Sequence, residues 1–211
     1  ENATILDTSW MTPEEATGFA KSEFINYIKA GRAAFDNDSP QKALINFDNA
    51  ISIATEIKEF SQYLPALYQF GRESAYQAGN LGKALIFAQN LADMLEASQP
   101  DSPAHAEAML TLGLIHARLS QYNQAVRVIE TAVEMFAMLE ADQQLASAMK
   151  DLGVVLENAT HYESALTRFQ KAAELSREIN DQQMLAAQQI NIGRIYDLRL
   201  NRYPEAIRHY K

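Results

Sequence analysis

The sequence predicts an all-α solenoid of about five antiparallel helix hairpins, and three observations carry that prediction. The first is composition: 33 alanines against five valines in 211 residues favour helices and starve strands of β-branched side chains. The second is a period. Five of the eight glycines stand at Gly31, Gly71, Gly113, Gly153 and Gly193, spaced by 40, 42, 40 and 40 residues, as in a stack of supersecondary units. The third is punctuation, because proline- and glycine-bearing turns recur between the apolar runs.

Each element follows from these signals. Thr12-Pro13-Glu14-Glu15 combines an N-cap threonine, proline at the first helical position and glutamate three residues after the cap, opening a helix over 13–36. Asp38-Ser39-Pro40 opens the next, 40–58, and Ala78-Gly79-Asn80 separates helices over 62–78 and 81–97. Asp101-Ser102-Pro103 begins 103–119, which is followed by 121–140, 142–158, 161–179 and 182–199; Tyr203-Pro204 begins 203–211. Gly79 and Gly82 are expected to shape one turn, and Gly18 to lie inside the leading helix.

Aligned on the glycines, the third and fourth copies share Tyr122 and Tyr162, Ala125 and Ala165, Ile129 and Phe169, and Ala132 and Ala172. The first copy supplies Ala43, Phe47 and Ala50; the fifth supplies Tyr203, Ala206 and Tyr210 after one inserted residue. In the second, the same insertion aligns Ala84 and leaves the small Ala88 at the bulky place. Glycine and alanine let two helices approach closely, and the bulky side chain fills the layer beside them.

This pattern resembles the tetratricopeptide repeat, in its long-helix variant with a period near 40 residues, as in kinesin light chains and bacterial signalling proteins. HEAT and armadillo repeats share the period, but the tyrosine, alanine and phenylalanine offsets favour the tetratricopeptide pattern. The resemblance implies a right-handed α-α superhelix over 12–211, with repeats about 24–60, 61–100, 103–141, 142–181 and 182–211, the last incomplete. Residues 1–11 match nothing and are read as a lead or linker. With Tyr210 in place but no capping helix, a longer parent protein is expected, and self-association through the uncapped last hairpin with it.

Chemistry is scarce. No cysteine is present, so disulfides and thiolate metal sites are excluded. The four histidines, His105, His116, His161 and His209, include no pair four residues apart on one helix face, so no metal site is indicated, and His116 is read as packing. Phosphate loops and nucleophile elbows are missing, so no enzyme activity and no cofactor are expected. A net charge of −9 argues against nucleic acid and anionic membranes as partners, and no run of the sequence is apolar enough to cross a bilayer. Lack of cysteine suits the cytoplasm and is compatible with a periplasm.

The resemblance also implies a concave groove lined by the first helix of each repeat, where family members hold peptides or proteins. The residues just after the glycines are Arg32, Arg72, Leu114, Val154 and Arg194; one turn earlier stand Ile28, Tyr68, Leu110, Lys150 and Ile190, and one turn later Asp36, Tyr76, Arg118, Asn158 and Leu198. Such a lining suits an acidic peptide with apolar anchors, because guanidinium groups pair carboxylates bidentately. The expected function is therefore a protein–protein or protein–peptide scaffold inside a larger signalling or regulatory protein. The alternative is a sensor domain that changes superhelix pitch on binding a ligand or peptide. The chaperone-tail clamp of the family is not reproduced: Lys150 and Asn191 match it alone.

Overall fold

A computed structural model describes residues 12–210; the lead expected over 1–11 lies outside them. Among the described residues there are ten α-helices, one 3-10 helix and no strand. They are α1 (Pro13–Asp36), α2 (Pro40–Glu56), the 3-10 helix (Lys58–Tyr63), α3 (Leu64–Gln77), α4 (Leu81–Ser98) and α5 (Pro103–Arg118). There follow α6 (Tyr122–Met138), α7 (Asp142–Asn158), α8 (Tyr162–Glu178), α9 (Gln182–Leu198) and α10 (Tyr203–Tyr210). The chain divides into two compact units, the first ending at Met94 and the second beginning at Leu95.

In the first unit α1 and α2 form a hairpin and α2 packs on α3. A side chain at Gly31 would put its Cβ 2.9 Å from the Phe47 ring, so glycine is what lets α1 reach α2. Phe47 is buried and stacks on Phe70 at 5.5 Å, and Phe35 meets the same ring edge-on at 5.9 Å. At Gly71 the facing ring is Phe87, 3.0 Å from the would-be Cβ. The second repeat therefore has its bulky residue, sixteen positions after the glycine with no insertion, and Ala88 is a neighbour in the core rather than a vacancy.

Two further expectations are corrected there. Gly79 has the turn conformation, with φ of 74°, but Gly82 lies within α4. Helix α3 begins at Leu64, after a 3-10 segment, rather than near residue 62. Pro65 explains it: without an N–H it cannot bond the carbonyl four residues back, so it sits in the first turn of a new helix.

The second unit is the more regular. Helices α5 and α6, α7 and α8, and α9 and α10 form hairpins, with α6 on α7 and α8 on α9. Its core holds Ile129, Phe136, Leu152, Phe169, Ile192 and Ile195, each at most 1% exposed. The alanine layer of Ala125, Ala132, Ala165 and Ala172 is wholly buried, and a Cβ at Gly153 would stand 2.6 Å from Phe169. Met109 and Met149 pack against this core as filler.

Turns in this unit end alike. Ser120, Glu140, Thr160 and Asn180, twenty residues apart, have φ of 60°, 53°, 64° and 59°. The next N–H in each case bonds back five residues: Gln121 to His116, Ala141 to Phe136, His161 to Leu156 and Asp181 to Ser176, at 2.8–3.0 Å. This is the Schellman closure, usually made with glycine.

Candidate partner-binding face

The residues selected by the repeat lie on the first helices of the hairpins, and the structure sorts them into three groups. Tyr68 and Leu110 are buried, Tyr68 against Phe87 with ring centres 6.0 Å apart and Leu110 in the core of the second unit; both serve packing. Leu114 is half-buried against that same core. A second group stays open: Tyr76 and Val154 at 38% and 36% exposure, and Ile190 at 57%, with Arg118 and Asn158 also exposed. Leu198, one turn beyond Arg194, reaches 62%.

The third group is charged, and much of that charge is already engaged. Arg32 lies 3.5 Å from Asp36 and over the Phe70 ring at 4.9 Å. Arg72 is half-buried, 3.9 Å from Glu73. Lys150 pairs with Asp151 at 2.9 Å. Arg194 donates from Nη2 to Glu157 at 2.7 Å, and Arg199 approaches the other oxygen of the same carboxylate at 3.4 Å. Two guanidiniums on or just after α9 thus meet one carboxylate from α7. Glu157 itself is only 6% exposed.

Glu157 escaped the sequence reading, although a signal was present. It stands four residues after Gly153, a place held by Phe35, Ala75 and Ala117 in the first three repeats. An acid at a place apolar or small in the three repeats before it, one repeat ahead of an arginine, marks a cross-repeat pair. Gln188 is similar: it replaces the buried Ala108 and Ala148 of earlier repeats, is fully buried, and leaves Nε2 without a partner. Arg72 and Arg194, at equivalent places, each also keep a buried Nε–H unpaired. Such an orphaned donor is costly, about 1–3 kcal/mol.

His116 is buried, with Nδ1 2.6 Å from Gln121 Oε1, consistent with the packing reading. No group of three or more acidic or imidazole side chains among the described residues could hold a metal ion. None of their helices is long and apolar enough to cross a membrane.

Tight hairpins crossing at glycines, a described chain built of helices without a strand, and an open row on the first helices define a tetratricopeptide-like repeat protein. Among such proteins, the chain belongs to the soluble NSF attachment protein (SNAP) family, which it matches over residues 88–211, more than half its length. No curated protein matches it by sequence. Its fold is similar to that of a putative kinesin light chain from Podosopora anserina with nearly identical TPR-like repeats, at a TM-score of 0.71 and 14% identity, covering 90% of this chain and 92% of that one. MamA from Desulfovibrio magneticus RS-1 is similar at 0.65 and 19% identity, over 89% and 91% of the two chains. A Rap protein complexed with Competence and Sporulation Factor gives 0.64 and 17%, over 89% of this chain but 52% of that one. At these identities the likeness is one of fold.

Proposed function

We propose that the chain is a non-enzymatic interaction module that holds a partner protein or peptide on its first-helix face. The observation that carries this reading is the exposure of Val154, Ile190 and Leu198 on α7 and α9. Helix faces turned to water are ordinarily polar, and large apolar side chains recurring there mark a contact surface. Asn158 and the half-exposed Arg194 supply the polar contacts beside them. The partner combines apolar anchors with carboxylates: an acid that draws the Arg72 or Arg194 guanidinium outward gives its orphaned Nε–H an acceptor. Its family is named for attachment of another protein, and the Rap relative in fold was solved with a bound factor, which agrees with a holding role.

The test is selection of phage-displayed random peptides on the whole chain, followed by titration of the enriched peptides. Replacing Ile190→Ser together with Leu198→Ser should weaken them at least tenfold with helix content unchanged by circular dichroism. Charge reversal at Arg72 and Arg118 should also weaken the acidic members of the pool. Unaltered affinity in all these variants would move the binding surface elsewhere.

A further inference from the structure

A cavity of about 260 Å³ opens in the first unit between α1 and the 3-10 helix. Its floor is aromatic: Phe24 and Phe60, both buried, stack with ring centres 4.5 Å apart, and Tyr63 tilts against Phe24 at 5.6 Å. Ile25 and Ile28 form the wall, and the charged lining among the described residues is Lys21 and Lys29. Residues 21, 24, 25, 28 and 29 follow the i, i+3, i+4, i+7, i+8 spacing of a single helix stripe. Such a stripe normally packs against another element; here Ile25 is 40% and Tyr63 46% exposed.

Charge and size together select an occupant. In a chain of net charge −9, neither lysine of this rim has an acidic partner among the described residues, as is also the case for Lys42 and Lys58, whereas Lys83, Lys150 and Lys171 each do. Glu23 and Glu59 are nearby in sequence but do not line the cavity. The volume falls below the roughly 300–1,000 Å³ of sites that enclose a small organic ligand, and fits one large apolar side chain entering from an extended segment. Lys21 and Lys29 are eight residues apart, about 12 Å along the helix at 1.5 Å per residue. An extended peptide places every second side chain on one face, so residues two before and two after a central one are separated by about 13 Å.

We propose that this cavity is a second docking site, for an extended segment of a partner protein with the pattern acid–x–apolar–x–acid. The central side chain seats over Phe24 and Phe60, and the flanking carboxylates pair with Lys21 and Lys29. The proposal does not rest on the function proposed for the first-helix face.

The probe is an acetylated, amidated peptide, Gly-Asp-Gly-Leu-Gly-Asp-Gly, titrated into the isotope-labelled full chain and followed by NMR. Expected are shifts confined to the amides of 21–29 and 58–64, with binding about tenfold weaker in the Lys21→Glu, Lys29→Glu double variant and retained in the Lys21→Arg, Lys29→Arg one. Replacing the central leucine by serine should abolish it. Equal shifts with the serine peptide, or no shift at millimolar peptide, would overturn the proposal. Shifts only at 150–198 would overturn it while supporting the first-helix face. Concentration-dependent shifts at these amides without peptide would give the cavity to a second copy, and contacts from the Trp10 indole to Tyr63 would give it to the chain's own leading residues; either result overturns the assignment to a partner.

Discussion

The two units solve the same repeat problem differently. In the second, helices α6 to α9 are each 17 residues long, the turns repeat every twenty residues, and glycine meets a ring or an isoleucine at every hairpin. In the first, α1 runs to 24 residues, a 3-10 segment interrupts the connection from α2 to α3, and aromatic rings supply much of the packing. Regularity consumes apolar surface inside the stack, while Val154, Ile190 and Leu198 stay exposed on its first helices. Irregularity leaves an aromatic-floored cavity instead.

The sharpest way to break that contrast is to truncate a ring in each unit. Phe169→Ala should cost about 3–5 kcal/mol, because Phe169 is fully enclosed. Phe60→Ala should cost clearly less, since one side of its surroundings is already open and forfeits fewer contacts. Urea unfolding of both variants would measure this, and equal losses would mean that the cavity closes in solution.

Next in size is Glu157→Gln. Removing the charge leaves Arg194 and Arg199 without their common partner; a loss of about 2 kcal/mol is expected, below the 3–5 of a fully buried pair because both guanidiniums are partly solvated. Less salt dependence of stability in the variant than in the parent would confirm an electrostatic origin. Smaller still is Thr160→Gly, which should stabilise by about 1 kcal/mol by relieving a β-branched residue at φ of 64°.

The smallest effect concerns Glu205. Its hydrogen bond with Arg202, 2.7 Å from Nη2, holds the carboxyl below the ordinary range. A depressed carboxylate contributes stability above its unfolded value and loses it as pH falls through the lower folded one. Because the pair is exposed, Glu205→Gln should be only slightly less stable than the parent above the ordinary carboxylate range, and in an acid titration that small difference should close as pH falls through the lowered Glu205 value.

Much of the architecture was legible because glycine spacing reports a steric necessity: two helices cannot cross this closely with a side chain between them. The turns were not legible in the same way, since Ser120, Glu140 and Thr160 adopt a glycine-like conformation without being glycine, held by backbone hydrogen bonds that leave no mark on composition. Phe87 was overlooked because an inserted residue moved the alignment one place past it. On the first-helix face, offsets alone located the exposed Val154 and Ile190 but did not distinguish them from the buried Tyr68 and Leu110, which depend on what the neighbouring helix offers. Offsets assign Arg194 to the groove lining because its partner, the buried Glu157, lies one repeat away and is joined to it only by the fold.

The twenty-residue rhythm of Ser120, Glu140, Thr160 and Asn180 has one more consequence. Cuts at two alternate members, Ser120 and Thr160, enclose two helices and the complete turn closure at Glu140, with the same backbone geometry at both ends. Duplicating or removing a segment so bounded would therefore lengthen or shorten this part of the chain by two helices while every remaining helix keeps its phase.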